Sequence, residues 1–392
     1  MDSIKQVKEV MTSRQRIRMA FDHKEGDRIP LDLAATGSTG IMGSSYQNLR
    51  AYLKLPKKPS KVWDIMQQLV LIDEDVLVLI GADARQALNK PSSKWSLNII
   101  KEGPDYKYID EWGIGWRMPI KTGHYFDMYL NPLKDVQTIK EIEKYCWPNG
   151  ADLARAEGVA DEAKRLYEQT GAAITIRPMC AGIFDMTCWL FGFEQCMMNV
   201  ALDIKLVDAV MEKVTDIKCA YWEMVLPIVG QYIDMAMECD DLGSQRGPLI
   251  NPKTYEKHIK PLHTRLLNTI RKNTNAAIYF HSCGSIMDFL PGLIESGIQV
   301  LNPVQVSAAN MGTRVLKKRF GKDITFWGGG CESQRILWRG SVQEVRDEVK
   351  RRIEDLAPGG GFVFAQVHNI QDGVPPQNLV AMWETFKEYS KY

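Results

Sequence analysis

Residues 276–284 have the sequence AAIYFHSCG, in which a short apolar run leads into a turn that carries an imidazole and a thiol. The run Ala276–His281 has the length and composition of a buried β-strand, and Gly284 is typical of the turn that ends one. Seven further runs of this kind occur along the chain. The eight predicted strands are Arg28–Leu33, Val76–Asp83, Ala172–Pro178, Ile233–Asp241, Ala276–His281, Ile298–Asn302, Asp323–Gly330 and Gly361–Asn369.

Most of these runs are continuously apolar, as expected for parallel strands that are covered on both faces. Helical patterns lie between several of them, and the alternation of strands with helices indicates a parallel sheet. Two of the predicted helices have clear starts, at Asn251-Pro252 and at the capping box of Ser341 with Glu344. Eight strand–helix units predict the α/β class and a closed (β/α)8 TIM barrel rather than an open doubly wound sheet.

Two regions exceed a minimal barrel. Residues 1–27 form a predicted N-terminal extension with a helix over Arg14–Phe21, and residues 84–171 form a predicted insertion after the second strand. Within this insertion, Trp95–Pro119 alternates like strands, whereas Leu133–Gln169 is helical in pattern. We expect the insertion to pack over one end of the barrel. No linker divides the chain, so residues 1–392 are predicted to form a single domain.

Composition limits the range of partners. The chain has 392 residues and a formal net charge of +1, which argues against nucleic acid or an anionic membrane as the main partner. We recognise no secretory signal and no apolar run of about 18 residues, the length that spans a bilayer. The eight cysteines are scattered rather than arranged as a disulfide framework. These features together predict a cytoplasmic protein with free or metal-bound thiols.

His281 and Cys283 predict a metal site. Residues two apart on a strand point to the same face, so an imidazole and a thiol can converge on one ion. Cys331, in the run Gly328–Cys331 after a later strand, is the predicted third ligand. Three protein ligands leave a fourth position open, which is typical of a catalytic zinc. The candidates for a side chain that closes this position at rest are Glu238, Asp240 and Glu332.

Further polar residues follow predicted strands. In these barrels the active site lies at the carboxyl ends of the strands. Asp240 and Asp241 end the fourth predicted strand and His368 ends the eighth, so all three are candidate catalytic residues. The two aspartates equally suit the capping of the helix that follows. His368 equally suits a role in support of the ligands or in the core.

Several short motifs resemble those of the uroporphyrinogen decarboxylase superfamily and, within it, those of the zinc-dependent, corrinoid-linked methyltransferases. The methyltransferases share a His-x-Cys…Cys pattern, which falls here on His281, Cys283 and Cys331. The superfamily motifs are Gly26-Asp27-Arg28-Ile29-Pro30, Gly81-Ala82-Asp83, Asp240-Asp241-Leu242-Gly243-Ser244-Gln245, Leu301-Asn302-Pro303-Val304-Gln305 and His368-Asn369-Ile370-Gln371.

This resemblance implies a (β/α)8 barrel and a specific activity. It implies methyl transfer between a methoxy compound, a methylamine or a thiol and a corrinoid (cobalamin) cofactor, with O-demethylation as one form of the reaction. The chain has no recognisable corrinoid-binding module, so the corrinoid is expected on a separate partner protein. The direction of transfer and a homodimeric state are left open.

The same comparison argues against porphyrin decarboxylation. The decarboxylases share an Arg-Gln-Ala-Gly-Arg stretch near the first strand, where arginines hold substrate carboxylates. This chain has Leu31–Ser38, sequence LDLAATGS, at that place. A metal-free decarboxylase or lyase on the same scaffold stays open as the alternative, as does a binding protein that has lost its chemistry.

Overall fold

The computed structural model describes residues 10–392, in which strands and helices alternate along most of the chain. The strands are β1 (Val62–Asp64), β2 (Leu69–Val70), β3 (Ala84–Ala87), β4 (Ile100–Glu102), β5 (Asp105–Ile109), β6 (Gly115–Pro119), β7 (Asp127–Leu130), β8 (Ala173–Ile176), β9 (Met235–Cys239), β10 (Ala277–His281), β11 (Val300–Asn302), β12 (Thr325–Trp327) and β13 (Phe362–Val363).

The helices surround these strands. They are α1 (Ser13–Phe21), α2 (Gly43–Tyr52), α3 (Glu74–Ile80), α4 (Ile139–Lys144), α5 (Val159–Gln169), α6 (Ile183–Phe191), α7 (Phe193–Leu202), α8 (Ile204–Val229), α9 (Pro252–Thr254), α10 (Lys260–Asn273), α11 (Leu290–Ser296), α12 (Thr313–Phe320), α13 (Ile336–Arg339), α14 (Val342–Leu356) and α15 (Pro376–Tyr389). No helix in residues 10–392 is long and apolar enough to cross a bilayer.

Seven parallel strands form the central sheet, in the order β13-β12-β11-β10-β9-β8-β3. The segment around Leu31 occupies the eighth position and closes the sheet. Leu31 bridges Phe364 in parallel, and its carbonyl accepts the Asp83 N–H at 2.7 Å. The predicted (β/α)8 barrel is therefore confirmed, with its first strand reduced to a short bridging segment.

Side chains alternate between two apolar layers, as the period of a strand requires. One layer fills the barrel, and the other lies between the sheet and the helices. In β9 and β10 the residues that fill the barrel are Met235, Met237, Ala277 and Tyr279, and those that face the helices include Ala236, Ile278 and Phe280. Ile17 and Ala20 of α1 join the inner layer and close the amino end of the barrel.

A buried carboxylate holds this amino end together. Asp83 has no exposed side-chain surface, and it accepts hydrogen bonds from Arg16 Nη1 at 2.6 Å, Arg28 Nη1 at 2.7 Å and the Leu31 N–H at 2.7 Å. The three donors belong to α1 and to the segment that closes the sheet. Asp83 thus ties the N-terminal helix and the first barrel position to the start of β3.

The predicted second strand, Val76–Asp83, was wrong. Residues 74–80 form helix α3, and the strand is Ala84–Ala87. Val76 and Ile80 are buried, whereas Val78 is 65 % exposed, so the apolar run is one face of a short helix. Gly81 ends this helix with φ at +79°. The first residues of the predicted insertion therefore belong to the barrel sheet.

The predicted strands and helices between β3 and β8 are present. Strands β4, β5, β6 and β7 form an antiparallel sheet, and α4 and α5 follow it. Trp116 of β6 packs edge-on against Trp189 of α6 with ring centroids 5.3 Å apart. That the whole chain forms a single domain stays a prediction.

We predict that Asp83→Ala lowers the free energy of unfolding by about 3–5 kcal/mol, because it leaves Arg16 buried without one of its carboxylate partners and loosens the closing segment. Urea unfolding followed by circular dichroism measures this loss. Asp135→Ala, at an exposed position, is the matched control and should change stability by no more than about 0.5 kcal/mol. Equal stability of the two variants would contradict the role given to Asp83.

Candidate metal centre

His281 and Cys283 lie together at the carboxyl end of β10. The Cys283 Sγ is 3.4 Å from His281 Nε2, so both donor atoms face one point. Gly284 makes the turn after them with φ at +85°, and a Cβ atom there would lie 2.3 Å from the backbone of Gly243. Only glycine fits this turn, which brings the thiol back beside the imidazole.

A hydrogen bond to Asn302 fixes the His281 ring. Asn302 Nδ2 donates to the Trp327 carbonyl at 2.9 Å, so its Oδ1 is the atom that faces His281 Nδ1 at 2.6 Å. An amide oxygen only accepts, and Nδ1 must therefore carry the proton. The lone pair is left on Nε2, the atom beside Cys283. This is the arrangement by which ligand histidines are usually oriented in metal sites.

His368 completes a group of three donors. One ligand atom each from His281, Cys283 and His368 all lie within 4.8 Å of one another. The two imidazole rings meet edge to face, with centroids 5.7 Å apart. Burial and the neighbouring His281 lower the pKa of His368 to about 4. The His368 ring is therefore neutral at physiological pH, which is the form that binds metals.

Cys331, the predicted third ligand, is not part of this group. Its side chain is buried in the apolar layer between the sheet and the helices, and its Sγ lies 3.9 Å from the Glu332 carbonyl. Burial raises the pKa of this thiol well above its usual value. The donor atom that lies with those of His281 and Cys283 therefore belongs to His368, a predicted catalytic residue, whereas zinc binding by Cys331 stays a prediction.

Two carboxylates lie beside the donor group. Asp241 Oδ1 accepts the Cys283 N–H at 2.7 Å and is 3.7 Å from His281 Nε2. The Asp241 N–H donates to Asp185 Oδ2 at 3.0 Å. Burial, together with the charges of Asp241 and Asp240, raises the pKa of Asp185 well above its usual range. Asp185 is therefore held toward its protonated form beside Asp241.

Asp185 was missed in the sequence. It is an acidic residue inside the apolar helix run Ile183–Phe191, and this mismatch is the signal that could have found it. Asn302 carried a weaker signal, since it ends a predicted strand at the same rim as His281.

Asp240 faces away from the donor group. It is fully buried and accepts the N–H groups of Phe184 and Asp185, both at 2.9 Å, and it contacts His263 Nε2 at 2.8 Å. It therefore caps the start of α6, the helix of the preceding unit, rather than the helix that follows it. A direct catalytic role for Asp240 has no support in this geometry.

Glu238 and Glu332 also have other partners. Glu238 is fully buried on the helix side of β9, where Lys218 Nζ lies at 2.9 Å and Trp222 Nε1 at 2.5 Å. Glu332 accepts the N–H groups of Gln334, Arg335 and Ile336 at 2.6–3.0 Å. None of the three predicted closing carboxylates therefore contacts the donor group, whereas that of Asp241 does.

Comparison with known proteins gives a consistent picture. The family model described as uroporphyrinogen decarboxylase (URO-D) matches residues 110–389. The uroporphyrinogen decarboxylase of Geobacter sulfurreducens is 22 % identical over 269 residues, covering 65 % of this chain and 72 % of the relative. The uroporphyrinogen decarboxylase of Trichlorobacter lovleyi is 23 % identical over 277 residues, covering 69 % of this chain and 74 % of the relative.

Among solved structures, a methyltransferase from Methanosarcina mazei superposes with a TM-score of 0.65 at 16 % identity. The superposition covers 97 % of this chain and 99 % of the methyltransferase. At this low sequence identity, the superposition establishes only that the two chains share the barrel fold over nearly their whole lengths.

We predict that Asn302→Leu weakens zinc binding about 10- to 100-fold, because the His281 ring loses the acceptor that orients it. Competition with a chromogenic chelator measures the affinity. Asn302→Asp is the matched variant: it loses the donor to Trp327 but keeps an acceptor for Nδ1–H, so it should bind zinc more tightly than Asn302→Leu. Similar affinities for the two variants would contradict the orienting role.

Proposed function

We propose that this chain, which belongs to the uroporphyrinogen decarboxylase (URO-D) family, is a zinc-dependent methyltransferase. It moves a methyl group between a small molecule and the cobalt of a corrinoid on a partner protein. The observation that carries this proposal is the convergence of the His281, Cys283 and His368 donor atoms within 4.8 Å at the carboxyl rim of the barrel.

The donor chemistry fits zinc. Zinc sites combine imidazole nitrogen and thiolate sulfur, and a catalytic site has three protein ligands and one open position. His281 presents Nε2 because its Nδ1–H is held by Asn302. Burial and the nearby Asp241 and Asp185 raise the pKa of the Cys283 thiol, and a bound divalent cation would reverse this effect.

When bound, the metal would act as a Lewis acid that polarises a methyl-bearing oxygen or favours the thiolate form of an acceptor. In demethylation of a methoxy compound, the corrinoid of the partner protein would supply cobalt(I) as the acceptor of the methyl group. The electron pair of the broken oxygen–carbon bond stays on oxygen, which then takes a proton. Asp185, whose raised pKa keeps a proton beside Asp241, is placed to supply it.

Decarboxylation of a porphyrin is the second candidate, because the relatives that are 22–23 % identical are uroporphyrinogen decarboxylases. The rim argues against it, because the side chains beside the donor group, Asp241 and Asp185, are acidic and offer no cation to a polycarboxylated substrate. At the first barrel position, where decarboxylases have arginines, Asp32 is instead buried and accepts the Trp327 Nε1–H at 2.8 Å. We therefore place methyl transfer first.

Visible absorbance tests the reaction, because cobalt(I) and methyl-cobalt(III) corrinoids differ in colour. The zinc-loaded protein, mixed with its cognate corrinoid protein and a panel of methoxy compounds, methylamines and methyl thiols, should convert one form into the other. His368→Ala should abolish the conversion, whereas Cys331→Ser, with its side chain outside the donor group, should retain it.

Two results would contradict this proposal. One is conversion at the parent rate by His368→Ala with no zinc bound. The other is an unchanged spectrum with every donor and acceptor, together with metal-independent release of carbon dioxide from a carboxylated tetrapyrrole.

A further inference from the structure

Arg177 is the one buried or half-buried arginine in residues 10–392 without a carboxylate partner. Its Nε–H donates to Asn89 Oδ1 at 2.9 Å, and no ion pair involves its guanidinium. The other arginines that are not exposed all pair with Asp or Glu; they are Arg14, Arg16, Arg28, Arg50, Arg85, Arg155, Arg346 and Arg352. A half-buried cation normally has a counter-charge, so the missing partner needs an explanation.

A second donor without an acceptor lies beside it. The Arg177 guanidinium sits over the Trp63 ring, 5.1 Å from the ring centroid. The Trp63 Nε1–H is buried and has no hydrogen-bond partner. Buried indole N–H groups usually find an acceptor. A cation without a counter-charge and an N–H group without an acceptor point to an anionic acceptor that comes from outside the chain.

Both residues lie at the mouth of the barrel. Arg177 follows β8, in which Ala173 faces the barrel interior and Ile174 and Ile176 face the helices. Alternation therefore points Arg177 inward, at the carboxyl rim.

Trp63 reaches the same mouth from the first barrel unit. A Cβ atom on Gly37 would lie 3.4 Å from the Trp63 ring. The neighbouring Thr36 hydroxyl is 3.3 Å from the hydroxyl of Tyr279, which lies two residues before His281 on the inward face of β10. The Arg177–Trp63 pair and the donor group thus lie at the same, carboxyl, end of the barrel.

We propose that Arg177 and Trp63 form a subsite that binds a single carboxylate of the methyl donor or acceptor. The planar guanidinium matches a carboxylate with two parallel hydrogen bonds, and the indole N–H supplies a third donor. One arginine neutralises one anionic group, which distinguishes this substrate from a polycarboxylated tetrapyrrole. That the bound molecule is the methyl donor or acceptor rests on the proposed function; the subsite itself does not.

Calorimetric binding tests the subsite without turnover. The probes are methoxyacetate and 4-methoxybenzoate, each compared with its neutral amide, and 4-methoxybenzenesulfonate separates carboxylate from sulfonate recognition. We expect at least one acid to bind the parent protein more tightly than its amide. Arg177→Gln should weaken binding of that acid roughly 10- to 100-fold and leave the amide unchanged. Arg177→Lys keeps the charge, so its affinity for the acid should lie between those of the parent protein and of Arg177→Gln.

Matched variants complete the design. Arg319→Gln removes the same charge from an exposed helix position and should bind the acid like the parent. Trp63→Phe keeps an aromatic ring but removes the N–H, so it should weaken binding roughly 2- to 10-fold. A His368→Ala protein that binds no zinc should retain binding of the acid that depends on Arg177, so the subsite can stand if the methyltransferase proposal fails.

Equal affinity of the parent protein for every acid and its amide would overturn the subsite, as would an Arg177→Gln protein that melts normally and binds the acid like the parent. If Arg177→Gln does not fold, parent-like affinity in both Arg177→Lys and Trp63→Phe would overturn it instead. Tighter binding of the sulfonate than of either carboxylate would overturn the assignment to a carboxylate.

Discussion

Closure of the sheet is the constraint on which the candidate metal centre depends. Strands β10 and β13 are separated by β11 and β12, so in a flat sheet their ends would lie about 14 Å apart. In the barrel the rings of His281 and His368 lie 5.7 Å apart. The hydrogen bonds of Pro30 and Asp32 to Phe364, and of Leu31 to Asp83, close the curve. The amino end of the molecule therefore holds together a site at the carboxyl end.

The charges around the donor group are unbalanced without a cation. Cys283 and Asp185 are both held toward their protonated forms, by burial and by the charge of Asp241. His368 is held toward its neutral form by burial and by His281. The acidic surroundings of Cys283 and Asp185 favour a positive charge at the point where the donors meet, and the neutral His368 ring offers a lone pair there. A bound divalent cation would supply this charge, and the same cation would stabilise the thiolate of Cys283.

The strand–helix rhythm was sufficient to predict the barrel, and the spacing of His281 and Cys283 was sufficient to bring their donor atoms together. The third member of the donor group, His368, required the structure. Counting alternate residues from the inward-facing Trp327 places Cys331 on the inner face, but Gly328 and Gly329 adopt φ of +91° and +80°. These left-handed residues break the alternation and turn the thiol toward the helices. The run Val76–Ile80 was predicted as a strand because a short apolar run fits one face of a helix as well as it fits a strand.

X-ray absorption at the zinc edge is the most direct test of the metal centre proposed at His281, Cys283 and His368. The number of sulfur neighbours separates this set from one that contains Cys331. We predict a single sulfur at about 2.3 Å with nitrogen or oxygen neighbours at about 2.0–2.2 Å, and an unchanged spectrum for Cys331→Ser. Two sulfur neighbours in the parent protein, reduced to one in Cys331→Ser, would contradict it.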